Sequence, residues 1–204
     1  NISASNNTFI GFQAGLTNGI LGGGVSNTFI GALAGLSNKA GHSNTFIGFE
    51  AGNKNVSGVL NTFIGFNAGA ENTTANQNVF IGTSTGGKNT MGSVNTFIGY
   101  STGAENTTAQ ANVFIGAEAG MNCTENGDGG ALTSASGNTM VGYQAGINTI
   151  LGTQNVFGYN YKNTPNMNGV FDRQAITPNA DRFFFVGFFW TISDNKKDNQ
   201  LDNL

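Results

Sequence analysis

The chain has 204 residues and a formal net charge of −3; charged residues make up 9% of it, hydrophobic residues 38%, and Gly contributes 32. So little charge with no basic run argues against a nucleic-acid partner, and no stretch reaches the ~20 apolar residues of a membrane helix. A single cysteine, Cys123, excludes an internally disulfide-stapled scaffold.

From its first residues the chain repeats itself. Residues 7–15 read NTFIGFQAG, and copies begin again at Asn27, Asn44, Asn61, Asn78, Asn95, Asn112, Asn138 and Asn155, at intervals of 20, 17, 17, 17, 17, 17, 26 and 17 residues. A fixed short period marks stacked structural units. Seventeen residues is too short for a helix pair or a propeller blade and fits one coil of a β-solenoid. The predicted fold is all-β: a parallel β-solenoid (β-roll) of ~17-residue coils over residues 1–161, nine copies in all, then a non-repeat segment over residues 162–204 acting as cap, joint or oligomerisation element.

Within one copy, strand alternation places Thr8, Ile10, Phe12 and Ala14 on one face and Asn7, Phe9, Gly11 and Gln13 on the other. Two apolar ladders result. One consists of Phe9, Phe29, Phe46, Phe63, Phe80, Phe97 and Phe114, the other of Ile10, Ile30, Ile47, Ile64, Ile81, Ile98 and Ile115. Strands apolar on both faces are normally buried on both. A solenoid has one interior, so the second face calls for another copy of the chain, most simply in a trimer. The glycine after Phe-Ile marks a bend or close backbone approach, and the second glycine a turn with positive φ. The leading Asn invites side-chain amide ladders from coil to coil, and spacers such as AENTTANQ read as turn, short polar strand, turn.

Residues 16–26 hold three extra residues and 121–137 nine, both expected to emerge as surface loops. The ninth copy, NVFGYNYKN, lacks the Ile, as terminal repeats often depart from consensus. Residues 182–192, RFFFVGFFWTI, are the most hydrophobic of the chain. Left in water they would invite aggregation, so Phe183, Phe184, Phe185, Phe188, Phe189 and Trp190 are the candidate subunit interface.

The copies, TFIGFQAG and TMVGYQAG among them, resemble the repeats of the heads of YadA-like trimeric autotransporter adhesins. They look closer still to the NTFIGYQAG repeats of bacterial surface and tail-fibre-like proteins. The resemblance covers roughly residues 6–160 and implies a left-handed, trimeric parallel β-roll on a cell or virion surface. This chain departs from the adhesin heads in its 17-residue period and in placing large Phe where they carry a small residue.

Catalytic and metal-binding patterns are sparse. His42 beside Ser43 is the one place where a Ser-His-acid arrangement could start, and a solvated turn histidine is the simpler reading. One His and one Cys assemble no metal cluster. Glu71 and Glu105 occupy equivalent positions two coils apart, roughly 10 Å at ~4.8 Å per layer, and read as solvated surface acids. Glu125 and Asp128 in ENGDGG resemble a calcium loop only faintly. The Thr column (Thr8, Thr28, Thr45, Thr62, Thr96, Thr139) resembles an ice-binding file, but Val79 and Val113 interrupt it and Ile lies beside it, so an internal ladder is expected. Asn55, Asn72 and Asn106 head N-glycosylation sequons.

The expected function is that of a structural or adhesive extracellular fibre subunit, working by rigidity, reach and multivalency. No catalytic residue, cofactor or metal is expected. The partners are the chain itself, as trimer or polymer, and a host surface or glycan. The alternative is a phage-type tail fibre or tailspike that binds or cleaves polysaccharide.

Overall fold

The computed structural model describes residues 4–122, 136–147 and the strand Asn155–Phe157. The candidate interface around Trp190, Cys123, Glu125 and Asp128 lie outside these residues, as does the expected boundary at 161/162.

The described chain is a parallel β-solenoid with no helix. Each coil contributes one three-residue strand: β1 Thr8–Ile10, β2 Thr28–Ile30, β3 Thr45–Ile47, β4 Thr62–Ile64, β5 Val79–Ile81, β6 Thr96–Ile98, β7 Val113–Ile115, β8 Thr139–Val141 and β9 Asn155–Phe157. They form one nine-stranded sheet in chain order. Thr pairs with Thr or Val, Phe with Phe and Ile with Ile through β7.

Strand length is set by backbone inversions on either side. The residue before each leading Asn is left-handed, as at Ser43 (φ 57) and Leu60 (φ 59), and the glycine after Ile has φ near 133 at Gly31 and Gly48. A further left-handed residue follows two positions on, as at Glu50 (φ 55). These inversions reset the side-chain alternation, so the expected faces hold only for Thr-Phe-Ile. Beyond the glycine the order changes: Phe12 is 70% exposed, while Ala34, Ala51 and Ala68 join Phe in the interior. The Thr column likewise faces outward beside Ile, correcting the expected internal ladder, because its neighbour Phe takes the inward place. Among the described residues the spacers contain no strand. They are turns whose amides still reach the adjacent coil, Lys54 N donating to Ala70 O and Val56 N to Thr73 O.

The core is an aromatic column. From Phe9 to Phe114 successive rings stack with centroids 4.8–5.0 Å apart and planes within 3–13°. That repeat matches the ~4.7–4.9 Å between hydrogen-bonded strands, so ring stacking and backbone ladder are satisfied by one geometry. Phe29 through Phe114 are fully buried; Met140 takes the place of Phe in β8. Each ring lies against the second glycine of its own coil. A Cβ on Gly52 would sit 2.5 Å from the Phe46 ring, which is why Phe and that glycine occur together.

Two files of buried asparagine run beside the rings. The leading file links coil to coil, as expected, but chiefly through backbone amides: Asn27 Oδ1 accepts from Asn44 N at 2.9 Å, and Asn44 Oδ1 from Asn61 N at 2.9 Å. The second file, Asn18, Asn38, Asn55, Asn72, Asn89 and Asn106, had no role in the sequence reading beyond its sequons. Here the amides bond one another, Asn55 Nδ2 donating to Asn38 Oδ1 at 2.7 Å and Asn72 Nδ2 to Asn55 Oδ1 at 2.7 Å. Both files meet at one carbonyl per coil. Gly58 O accepts from Asn44 Nδ2 at 2.8 Å and from Asn55 Nδ2 at 3.0 Å. Only an amide supplies two donors and an acceptor at this reach. The signal was present as an Asn eleven residues after the leading one in six successive copies.

The first insertion emerges at residues 22–24, three glycines with positive φ, and Gly24 O accepts from Asn18 Nδ2. The ninth copy is one residue out of step with the period read from the sequence: Asn155 pairs with Thr139, Val156 with Met140 and Phe157 with Val141. Having lost Ile, it fills a three-residue strand by moving Phe into the Ile place.

Replacing Asn72 by Ala leaves buried Asn55 Oδ1 without its donor and removes one of the two acceptors of Asn89 Nδ2, which keeps Gly92 O; the expected loss is about 1–3 kcal/mol. Lys54→Ala, on an exposed ion pair, should cost less than about 1 kcal/mol. Urea titration followed by circular dichroism separates the two. In the same assay Gly52→Ala should lose more than about 2 kcal/mol, since clash adds to left-handed strain. Val94→Asn should gain about 1 kcal/mol, because a β-branched side chain at φ 62 is replaced by one that tolerates it.

Candidate functional site

With the interior filled, the described coils present their outward columns to any partner. The strand face carries Thr (or Val) and Ile, about 6.7 Å apart along the strand. The Ile side chains are exposed at the ends of the array, 58% at Ile10 and 38% at Ile115, and half-buried between, where each is flanked by the Ile above and below. The column thus shields itself in part, which lessens the demand for a covering sibling that two apolar faces implied.

The more exposed apolar groups stand one corner further on, after the first glycine. Phe12, Phe49, Phe66, Tyr100 and Tyr143 are 43–70% exposed, and Phe49 stacks on Phe66 with centroids 5.4 Å apart. This corner was not singled out in the sequence, because alternation assigned Phe12 to the Ile face. The backbone inversions put it there instead.

A separate column carries alternating lysine and glutamate. Lys54 pairs with Glu71 and Lys88 with Glu105, each at 2.6 Å. Asn67, Ala70, Glu71, Ser84, Gly87, Lys88, Ala104 and Glu105 line an open groove of about 240 Å³; Asn67 Oδ1 is itself buried and has no partner. The two glutamates considered as an acid pair therefore each have a lysine, and Lys88 stands between them in the column. Exposed pairs of this kind contribute little to stability.

His42 is exposed, with Nδ1 3.3 Å from Ser43 Oγ, and no acid joins them among the described residues. No group of three potential metal-ligating side chains occurs among the described residues. No helix long and apolar enough to cross a membrane occurs there either. The sequon asparagines Asn55, Asn72 and Asn106 are buried with Nδ2 engaged in the second file, so a folded coil offers no acceptor nitrogen at any of them.

Among the described residues, the apolar outward surfaces are therefore two columns, one of Thr and Ile on the strand face and one bearing the aromatics at the corner. No family model, no curated protein and no solved structure matches this chain.

Proposed function

We propose that this chain is a structural subunit of an extracellular fibre on a cell or virion surface, self-associating and without catalytic activity of its own. The observation that carries this reading is the unbroken in-register stack. From β2 to β6 rings and two asparagine files repeat through successive coils with no change of pairing, and such an array resists bending because each of these coils is tied to the next by the same bonds. Nine coils at ~4.8 Å give a rod of roughly 40 Å. Its use is to hold something at a distance, and repetition of the rod multiplies weak attachments.

The corner aromatics are the contact through which a second copy associates. They recur along the rod axis, with Ala32, Thr83 and Ala117 at the intervening places, and no charged residue shares their column. Exposed aromatics recurring on one side of a molecule are what interfaces between copies are made of. Residues 182–192, outside the described residues, supply an end-to-end joint by strand addition.

The tailspike alternative rests on the groove around Lys88, where the glutamates are already engaged by lysines. Reducing-end release from a polysaccharide panel, lost in Glu71→Gln, would establish it in place of the structural reading.

Electron microscopy and analytical ultracentrifugation of the full chain test the proposal. Rods associated along their length should be seen, and Phe66→Lys with Tyr100→Lys should disperse them without lowering the unfolding midpoint. A folded chain that stays monomeric at high concentration refutes self-association. Filaments that persist after deletion of residues 182–192 refute the end-to-end joint.

A further inference from the structure

The strand face differs from the rest of the surface in the constancy of its lattice. Behind it the rings fix the coil repeat at 4.8–5.0 Å, and along each strand Thr and Ile stand about 6.7 Å apart. Neither insertion disturbs this array. The pairings of β1 with β2 and of β7 with β8, which span the insertions, keep Thr or Val opposite Thr and Ile opposite Ile or Val. Substitution within the two files through β8 is limited to Val for Thr at Val79 and Val113, which keeps the shape, and Val for Ile at Val141. No charged residue enters either file.

The hydroxyls differ as well. Thr17, Thr73, Thr85, Thr90 and Thr102 each donate to a backbone carbonyl. Thr8, Thr28, Thr45, Thr62, Thr96 and Thr139 have no side-chain hydrogen bond within the described residues and face solvent on the outer side of the sheet. The expectation of an internal ladder, which set ice binding aside, does not hold for them.

We propose that this two-file face binds the surface of crystalline water. The ligand must be periodic, because the face is. It must be neutral and able both to give and to accept hydrogen bonds, because the face offers hydroxyls and methyls but no ion. A mineral lattice of ions would call for carboxylates, which are absent from both files. Methyl groups order adjacent water without the competing hydration shell of a charge, and hydroxyls complete hydrogen bonds to it. Rigidity matters here: a face already fixed in register loses no side-chain or loop freedom on docking, so matches at successive coils accumulate. The proposal uses a different side of the coil from the aromatic corner and stands independently of self-association.

The test is thermal hysteresis of the full chain, together with incorporation of the fluorescently labelled chain into a growing ice hemisphere. Hysteresis and incorporation are expected for the native chain. Thr62→Lys, and separately Thr96→Lys, should abolish most of both, with circular dichroism and unfolding midpoint unchanged, since each site faces solvent. Thr62→Val should retain most of the effect, as the native Val79 and Val113 do in their coils. Phe66→Lys, on the corner, should leave ice activity in place even where it disperses rods. Absence of hysteresis and incorporation overturns the proposal, as does full activity in both lysine variants. Binding of crystalline cellulose or chitin with the same dependence on Thr62 and Thr96 would likewise overturn it, by identifying a polysaccharide lattice as the ligand.

Discussion

One backbone carbonyl per coil holds the interior together. Gly41, Gly58, Ala75, Gly92 and Ala109 each present an oxygen that accepts from two buried asparagine side chains of the same coil. One of those asparagines also accepts the next coil's backbone amide, and the other, as far as Asn89, accepts the next coil's side-chain amide. A coil this short has too little backbone in regular strand to satisfy its own buried groups. The asparagines do for the turns what a ladder does for a sheet, and an unpaired amide in so small an interior would be costly.

Ring stacking follows from the same constraint. With coils held at the strand repeat, one Phe per coil fills the width of the interior, and the Ala column and second glycine provide its floor. Where the inward residue is Met140, pairing continues, so the register is carried by the backbone as well as by the rings. The non-glycine residues at positive φ, Val94 among them, show the cost accepted to turn the corners: left-handed conformations are retained because every neighbouring coil demands the same path.

Outside, the same repetition converts single residues into files. A lone exposed Phe or Thr on a protein surface has little meaning. The same residue repeated coil after coil becomes a surface with a direction and a spacing. Three kinds of file, neutral Thr and Ile, aromatic, and alternating Lys and Glu, occupy separate sides of the coil, and that separation makes distinct contacts possible on a molecule whose interior is uniform.

The period and the Phe, Ile, Asn and Gly recurrences determined by themselves that the chain winds into a parallel β-solenoid of 17-residue coils, because stacking in register requires identical residues at identical places. They also located the leading asparagine ladder and the second, left-handed glycine. Which way the remaining residues point was decided only in three dimensions. Strand alternation extends through Thr-Phe-Ile and ends at the glycine, where φ near 133 turns the chain, so Phe12 went out, Ala14's equivalents went in and the Thr file faced water. Asn55 and Asn72 carry in sequence the look of solvent-exposed sequons. Their burial depends on partners seventeen residues away, whose amides complete the hydrogen bonds that water would otherwise supply.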